Sequence, residues 1–124
     1  MLKPPEGRIA RESILLFGEY GSGKSKGWTA IADIYRKTDT PGWFHVIETV
    51  HEASHVVLEP FPDWEQNVVI HEVTDYDSLL DTGVKIKESV AREDWLIIES
   101  ADNIQKFVRD VWFKAHRDGM SWRE

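Results

Sequence analysis

The chain has 124 residues, 41% of them hydrophobic and six of them Trp, enough for one domain with a real core. It has no Cys and a formal net charge of -7. Disulfides and thiolate metal sites are therefore excluded, and a non-specific electrostatic grip on nucleic acid is disfavoured. No apolar run approaches the length of a membrane span, and MLKPPEGRIARES has no signal-peptide pattern. The expectation is a cytoplasmic protein (of a host cell, if viral) with no membrane partner.

Residues 1–12 are polar, with Pro4, Pro5 and Gly7, and read as a loose lead-in segment. Ile14-Leu15-Leu16-Phe17 is a short continuous apolar run, as expected for a parallel strand covered on both faces. Gly18-Glu19-Tyr20-Gly21-Ser22-Gly23-Lys24-Ser25-Lys26 follows. Within it, Gly18-x-x-x-x-Gly23-Lys24-Ser25 is a complete Walker A pattern between a strand and a helix-compatible run. Gly18, Gly21 and Gly23 allow backbone conformations closed to other residues and bring N–H groups close to a polyphosphate. The helix that follows points its N-terminus at the same anion. Lys24 can reach the β and γ phosphates, and the Ser25 hydroxyl can complete a Mg²⁺ shell. Residues 18–26 are thus the expected ATP-binding segment. Tyr20 is expected to pack on the loop, with base stacking or a subunit contact as the alternative.

A helix is expected from about Gly23 to Lys37, with Trp28, Ile31, Ala32 and Tyr35 inward and Arg36-Lys37 suited to its C-terminal dipole. The segment 38–42, TDTPG, is a turn. The spacing predicts a second strand over Trp43–Val50, centred on Val46 and Ile47. A mixed segment broken by Pro60 and Pro62 follows. Asn67–Val73 reads as a third strand. Thr74 or Asp75 can cap a helix to about Ala91 that carries Tyr76, Leu79, Leu80, Ile86 and Val90 on one side, with Gly83 a weak point. Asp94–Ser100 reads as a fourth strand. A last helix runs from about Asn103 to Arg117, striped by Ile104, Phe107, Val108, Val111, Trp112 and Ala115, with Gly119 a plausible stop. The order strand–helix–strand–strand–helix–strand–helix, with buried strands, predicts an α/β protein, a three-layer sandwich around a mostly parallel sheet.

Two acids complete the candidate site. Trp95-Leu96-Ile97-Ile98-Glu99 resembles a Walker B strand, whose terminal carboxylate lies beside the phosphate loop and binds Mg²⁺ directly or through water. Glu99 is the expected metal residue and Asp102 the alternative. Glu48, at the carboxyl end of the second strand, is the candidate for polarising the attacking water, with Glu52 second. His51-Glu52-Ala53-Ser54-His55 matches the HExxH zinc pattern. It follows a strand directly and precedes Pro60, with little room for a supported helix. A third ligand, Glu72 or Asp75, has no defining spacing, so these His are expected to be loop residues. Trp43, Phe44, Phe61 and Trp64 could stack single-stranded DNA but are expected to pack in the core and loops. Lys85, Lys87, Lys106, Arg109 and Arg123 are scattered, and none is singled out as an arginine finger.

With LLFGEYGSGKS, the strand ending in Glu48-Thr49, EVTDYDSLLD and DWLIIESADNI in view, residues 12–117 resemble the RecA-like P-loop ATPases. The likeness is strongest to the short RecA/RadA-like ATPases of bacteriophages. The resemblance implies ATP and Mg²⁺ binding, a catalytic Glu at position 48, homo-oligomeric ring or filament assembly, and recombination or annealing work on DNA. There are two departures. Glu99 stands where the family has Asp. A later strand that such a sheet places between the phosphate-loop strand and the Walker B strand is absent. Either the chain is the N-terminal part of a longer core, or those two strands pair directly.

Overall fold

Phe44, Val46 and Glu48 alternate with His45 and Ile47, so this strand carries large side chains on both faces. Such a strand is stable only in the middle of a sheet covered on both sides. In the computed structural model, which describes residues 24–50, 53–99 and 101–117, it holds that position. β1 (Phe44–Glu48) lies between β2 (Val68–Glu72) and β3 (Trp95–Glu99), is parallel to both, and is buried throughout. With α1 (Lys24–Lys37), α2 (Ala53–Leu58), a 3-10 turn (Trp64–Gln66), α3 (Tyr76–Ser89) and α4 (Ala101–Arg117), the described residues form an α/β fold around a three-stranded, all-parallel sheet. The strand expected at Ile14–Phe17 and the loop Gly18–Gly23 lie outside the described residues.

The two-residue period of the strands sorts side chains into two cores. On one face Phe44, Val46 and Val68, with Ile70, Trp95 and Ile97, meet Trp28 and Ala32 of α1 and Leu58 of α2. Phe44 stacks on Trp95, ring centroids 5.6 Å apart, and Tyr35 meets Phe44 edge-on at 5.2 Å. On the other face Ile47 packs with Val73, Ile86 and Leu79, and with Ile104 and Phe107 of α4. The helices therefore form layers on both sides of the sheet. No helix among the described residues is long and apolar enough to cross a membrane.

Several elements differ from their sequence reading. β1 and β2 are shorter at each end than predicted, and β3 begins at Trp95 rather than Asp94. At the start of β1, the Trp43 N–H donates to the Asp94 side chain (2.9 Å) rather than to a ladder. The segment 53–58, read as lacking room for a helix, is helical. Tertiary contact supplies what its length does not: Leu58 is fully buried, and the Ser54 N–H donates to the Glu48 carboxylate. Asp75, not Thr74, caps α3. Its carboxylate accepts from Ser78 N–H (2.8 Å) while the Ser78 hydroxyl accepts from Asp75 N–H (3.1 Å). Gly83 does not interrupt α3, which runs unbroken from Tyr76 to Ser89. α4 begins at Ala101, before the expected Asn103. The stripes are also narrower than read: Leu80, Val90, Val108, Val111 and Trp112 are exposed.

Two polar groups lock the layers. Buried Asn67 donates to the Ala32 carbonyl (3.0 Å) and accepts from Arg36 (2.7 Å), tying α1 to the start of β2. His45 and Asp94 form a buried pair at 3.0 Å. Burial works to raise the Asp94 pKa, but the N–H groups of Ala91 and Trp43 and the His45 ring outweigh it, so the carboxyl sits below its usual range. His71 stacks beside His45, ring centroids 6.3 Å apart. Burial, with help from His45 and Lys85, holds its imidazole below the usual histidine range.

Asn67→Ala removes one neutral and one charge-assisted hydrogen bond and is expected to lower unfolding stability by about 2–3 kcal/mol in urea denaturation. His71 takes up its proton more readily unfolded than folded. Stability is therefore full above about pH 6.5, its unfolded pKa, and is lost as pH falls below it. The urea midpoint should drop between pH 7.5 and 5.5, and drop less in His71→Asn.

Candidate functional site

Parallel strands present their carboxyl ends along one edge of the sheet. Glu72, Glu48 and Glu99 are register partners across the three strands, so they stand in a row at that edge. Neighbours in the row are about 4.8 Å apart along the backbone. Each follows by two residues a side chain that faces α1 and α2 (Ile70, Val46 and Ile97), so all three carboxylates lie on that face.

Glu99 meets the first turns of α1. Ser25 Oγ donates to Glu99 Oε2 at 3.2 Å, and Trp28 Nε1 donates to Glu99 Oε1 at 2.6 Å. Ser25 and Trp28 are three residues apart on one helical face, which lets one carboxylate take both donors. The Glu99 main chain is held as well. Its carbonyl accepts from the Thr49 N–H (2.8 Å) and the Thr49 hydroxyl (3.0 Å), and Asn103 donates to that hydroxyl at 3.1 Å. Side chain and backbone of Glu99 are thus anchored from α1, the end of β1 and α4.

Glu48 sits beside Glu99 but in a different setting. It is 1% exposed, and its Oε1 accepts from the Ser54 N–H at the start of α2. Glu48 Oε2 and Ser54 Oγ are buried without a hydrogen-bond partner among the described residues. The acid read as polarising water is therefore at the expected edge and is roofed by α2.

The remaining candidates are dispersed or lie elsewhere. Asp102 is exposed in the first turn of α4, a helix packed on the opposite face, so Glu99 is the acid that meets Ser25. Lys26 is exposed, and its carbonyl accepts from the Thr29 hydroxyl at 3.0 Å. Gly18, Glu19, Tyr20, Gly21, Ser22 and Gly23, the Lys24 side chain, and His51 and Glu52 lie outside the described residues. His55 is exposed, edge-on to Trp64 at 5.5 Å. Among the described residues no three His, Asp or Glu gather as a metal site. Nor do the four aromatics form a row: Phe44 is core, Trp43 is half exposed, Phe61 lies under Arg36 and Trp64 against His55. Two surface depressions among the described residues, beside Asp110 and Phe113 of α4 and along β2, include none of Ser25, Glu48 or Glu99.

Sequence reasoning missed Trp28, Thr49, Ser54 and Asn103 as members of this edge. Trp28 read only as core. The usable signal was that a buried indole N–H needs an acceptor. Comparison with family models, with curated proteins and with solved structures finds no match for this chain.

Glu48→Ala leaves the buried Ser54 N–H without its acceptor and is expected to cost about 1–3 kcal/mol. Glu48→Gln keeps an acceptor in place and should cost less. Paired urea titrations of the two variants check this ordering.

Proposed function

We propose that the chain is a MgATP-binding P-loop module of RecA-like type. The observation that carries the reading is the 3.2 Å contact between Ser25 and Glu99, residues 74 apart in sequence that the two nucleotide motifs single out independently. Hydroxyl and carboxylate are hard oxygen donors, a set that fits Mg²⁺ with its retained waters. The first turn of α1 carries no acid and includes Lys24 and Lys26, the reverse of the usual preference at a helix N-terminus. That charge balance suits an incoming polyphosphate.

Connection geometry supports the same reading. From β1 to β2 the chain crosses on the α1/α2 face; from β2 to β3 it crosses in the other direction on the opposite face, so both crossovers have one hand. One hand of crossover with parallel strands is the ordinary α/β layout, in which a ligand sits at the carboxyl edge of the sheet, the edge that Glu99 occupies.

In this reading the amides of residues 18–23 hold the phosphates, Lys24 reaches the β and γ groups, and Ser25 and Glu99 hold the metal and its waters. Mg²⁺, when bound, would supply charge neutralisation to the polyphosphate. Glu48 is the acid that would orient water. Assembly into a ring or filament and work on DNA in recombination follow from the resemblance. A second reading, a nucleotide-dependent assembly module without turnover, is favoured by the burial of Glu48 under α2.

The test is calorimetry of ATP with Mg²⁺, followed by phosphate release with and without single-stranded DNA. Lys24→Ala is expected to weaken ATP binding by at least about tenfold, the worth of a charge-assisted contact to phosphate. Equal affinity in Lys24→Ala and the parent overturns the reading. Release stimulated by DNA supports the ATPase, binding without release the assembly module, and phosphate transfer to a small acceptor would mark a kinase instead.

A further inference from the structure

Trp28 is 6% exposed within the core that α1 shares with β1 and β3. Its indole nitrogen is a donor only, and it lies 2.6 Å from Glu99 Oε1, a short, charge-assisted contact. The other carboxylate oxygen takes a different kind of donor. The Ser25 hydroxyl can turn its proton away and offer its oxygen instead. A cation that took Oε1 would leave the buried indole N–H without a partner. A cation at Oε2 displaces only a hydroxyl proton that can rotate. The two oxygens of Glu99 are therefore not equivalent.

We propose that Trp28 is a positioning residue for Glu99: it holds Oε1 and the carboxylate plane so that Oε2 alone, with Ser25 Oγ, is presented to the metal shell. The inference rests on the MgATP reading above. The length of Glu99 belongs to the same device. An aspartate carboxylate would sit about 1.5 Å further back toward β3. It could not meet both α1 donors without moving the helix. The indole, fixed by core packing, sets the direction in which the glutamate points.

The experiment has two readouts on the intact chain. Without nucleotide, the Trp28 indole N–H resonance, identified by its loss in Trp28→Phe, is expected well downfield and slow to exchange. In Glu99→Ala it should move upfield and exchange faster. With ATP saturating, a MgCl₂ titration is expected to give a Mg²⁺ dissociation constant about tenfold higher in Trp28→Phe than in the parent, as for other groups that orient metal ligands. Trp95→Phe removes an indole N–H from the same core, one that donates to Tyr35 at 3.1 Å, and should leave the Mg²⁺ constant unchanged. In a Glu99→Ala background Trp28→Phe should add no further loss. An unchanged Mg²⁺ constant in Trp28→Phe, or an equal loss in the Glu99→Ala background, overturns the positioning role. A parent that binds no MgATP while its indole resonance still responds to Glu99→Ala overturns the nucleotide reading, and the metal role of Trp28 with it.

Discussion

Everything in this fold is arranged around the burial of β1 on both of its faces. A strand with Phe44 and Val46 on one side and Ile47 on the other needs a helix layer above and below, and a hydrogen-bonded strand at each edge. The chain meets the requirement by alternating sides. α1 and α2 cover one face, α3 and α4 the other, and β2 and β3 flank the strand in parallel. Because all three strands run the same way, their carboxyl ends share one edge, and three glutamates arrive there together. The polar edge is thus a by-product of the packing that makes the core.

What distinguishes the three acids is what sits over each. Glu99 receives two donors from α1 and a second pair on its carbonyl from Thr49. Glu48 is closed in by α2 and keeps one buried oxygen without a partner among the described residues. Glu72 ends the outer strand and is exposed. One residue type in one register therefore has three environments. A buried carboxylate oxygen without a partner is costly to maintain away from water. Glu99 bears no such cost, because the residues that hold it also satisfy it.

Most of the architecture was legible in the residue pattern. The apolar runs around Val46, Val69 and Ile97 announced strands, and the parallel α/β layout followed from their continuous apolar character and from the helices read before β1, between β2 and β3 and after β3. The spacing of Trp28, Ile31, Ala32 and Tyr35 identified the buried side of α1. α2 was not legible. Six residues bearing two β-branched side chains and ending just before Pro60 have no intrinsic claim to a helix, and only Leu58 in the core and Glu48 beneath the first turn make one. The exposed Val108, Val111 and Trp112 fail for the converse reason. Periodicity marks the side of α4 that could be buried, but the width of the sheet sets how much of it is.

The sequence alone determined the strand and helix types, the parallel sheet, and the pairing of a phosphate-loop pattern with an acid at the end of an apolar strand, because those depend on short-range periodicity and backbone chemistry. Only the tertiary structure decided that Glu99, and not Asp102, meets Ser25, that an indole takes its second oxygen, and that Glu48 lies beneath a helix. Those outcomes rest on contacts between residues far apart in the chain. Which acid faces which helix is set by the side of the sheet each crossover takes, and no local pattern of residues records that.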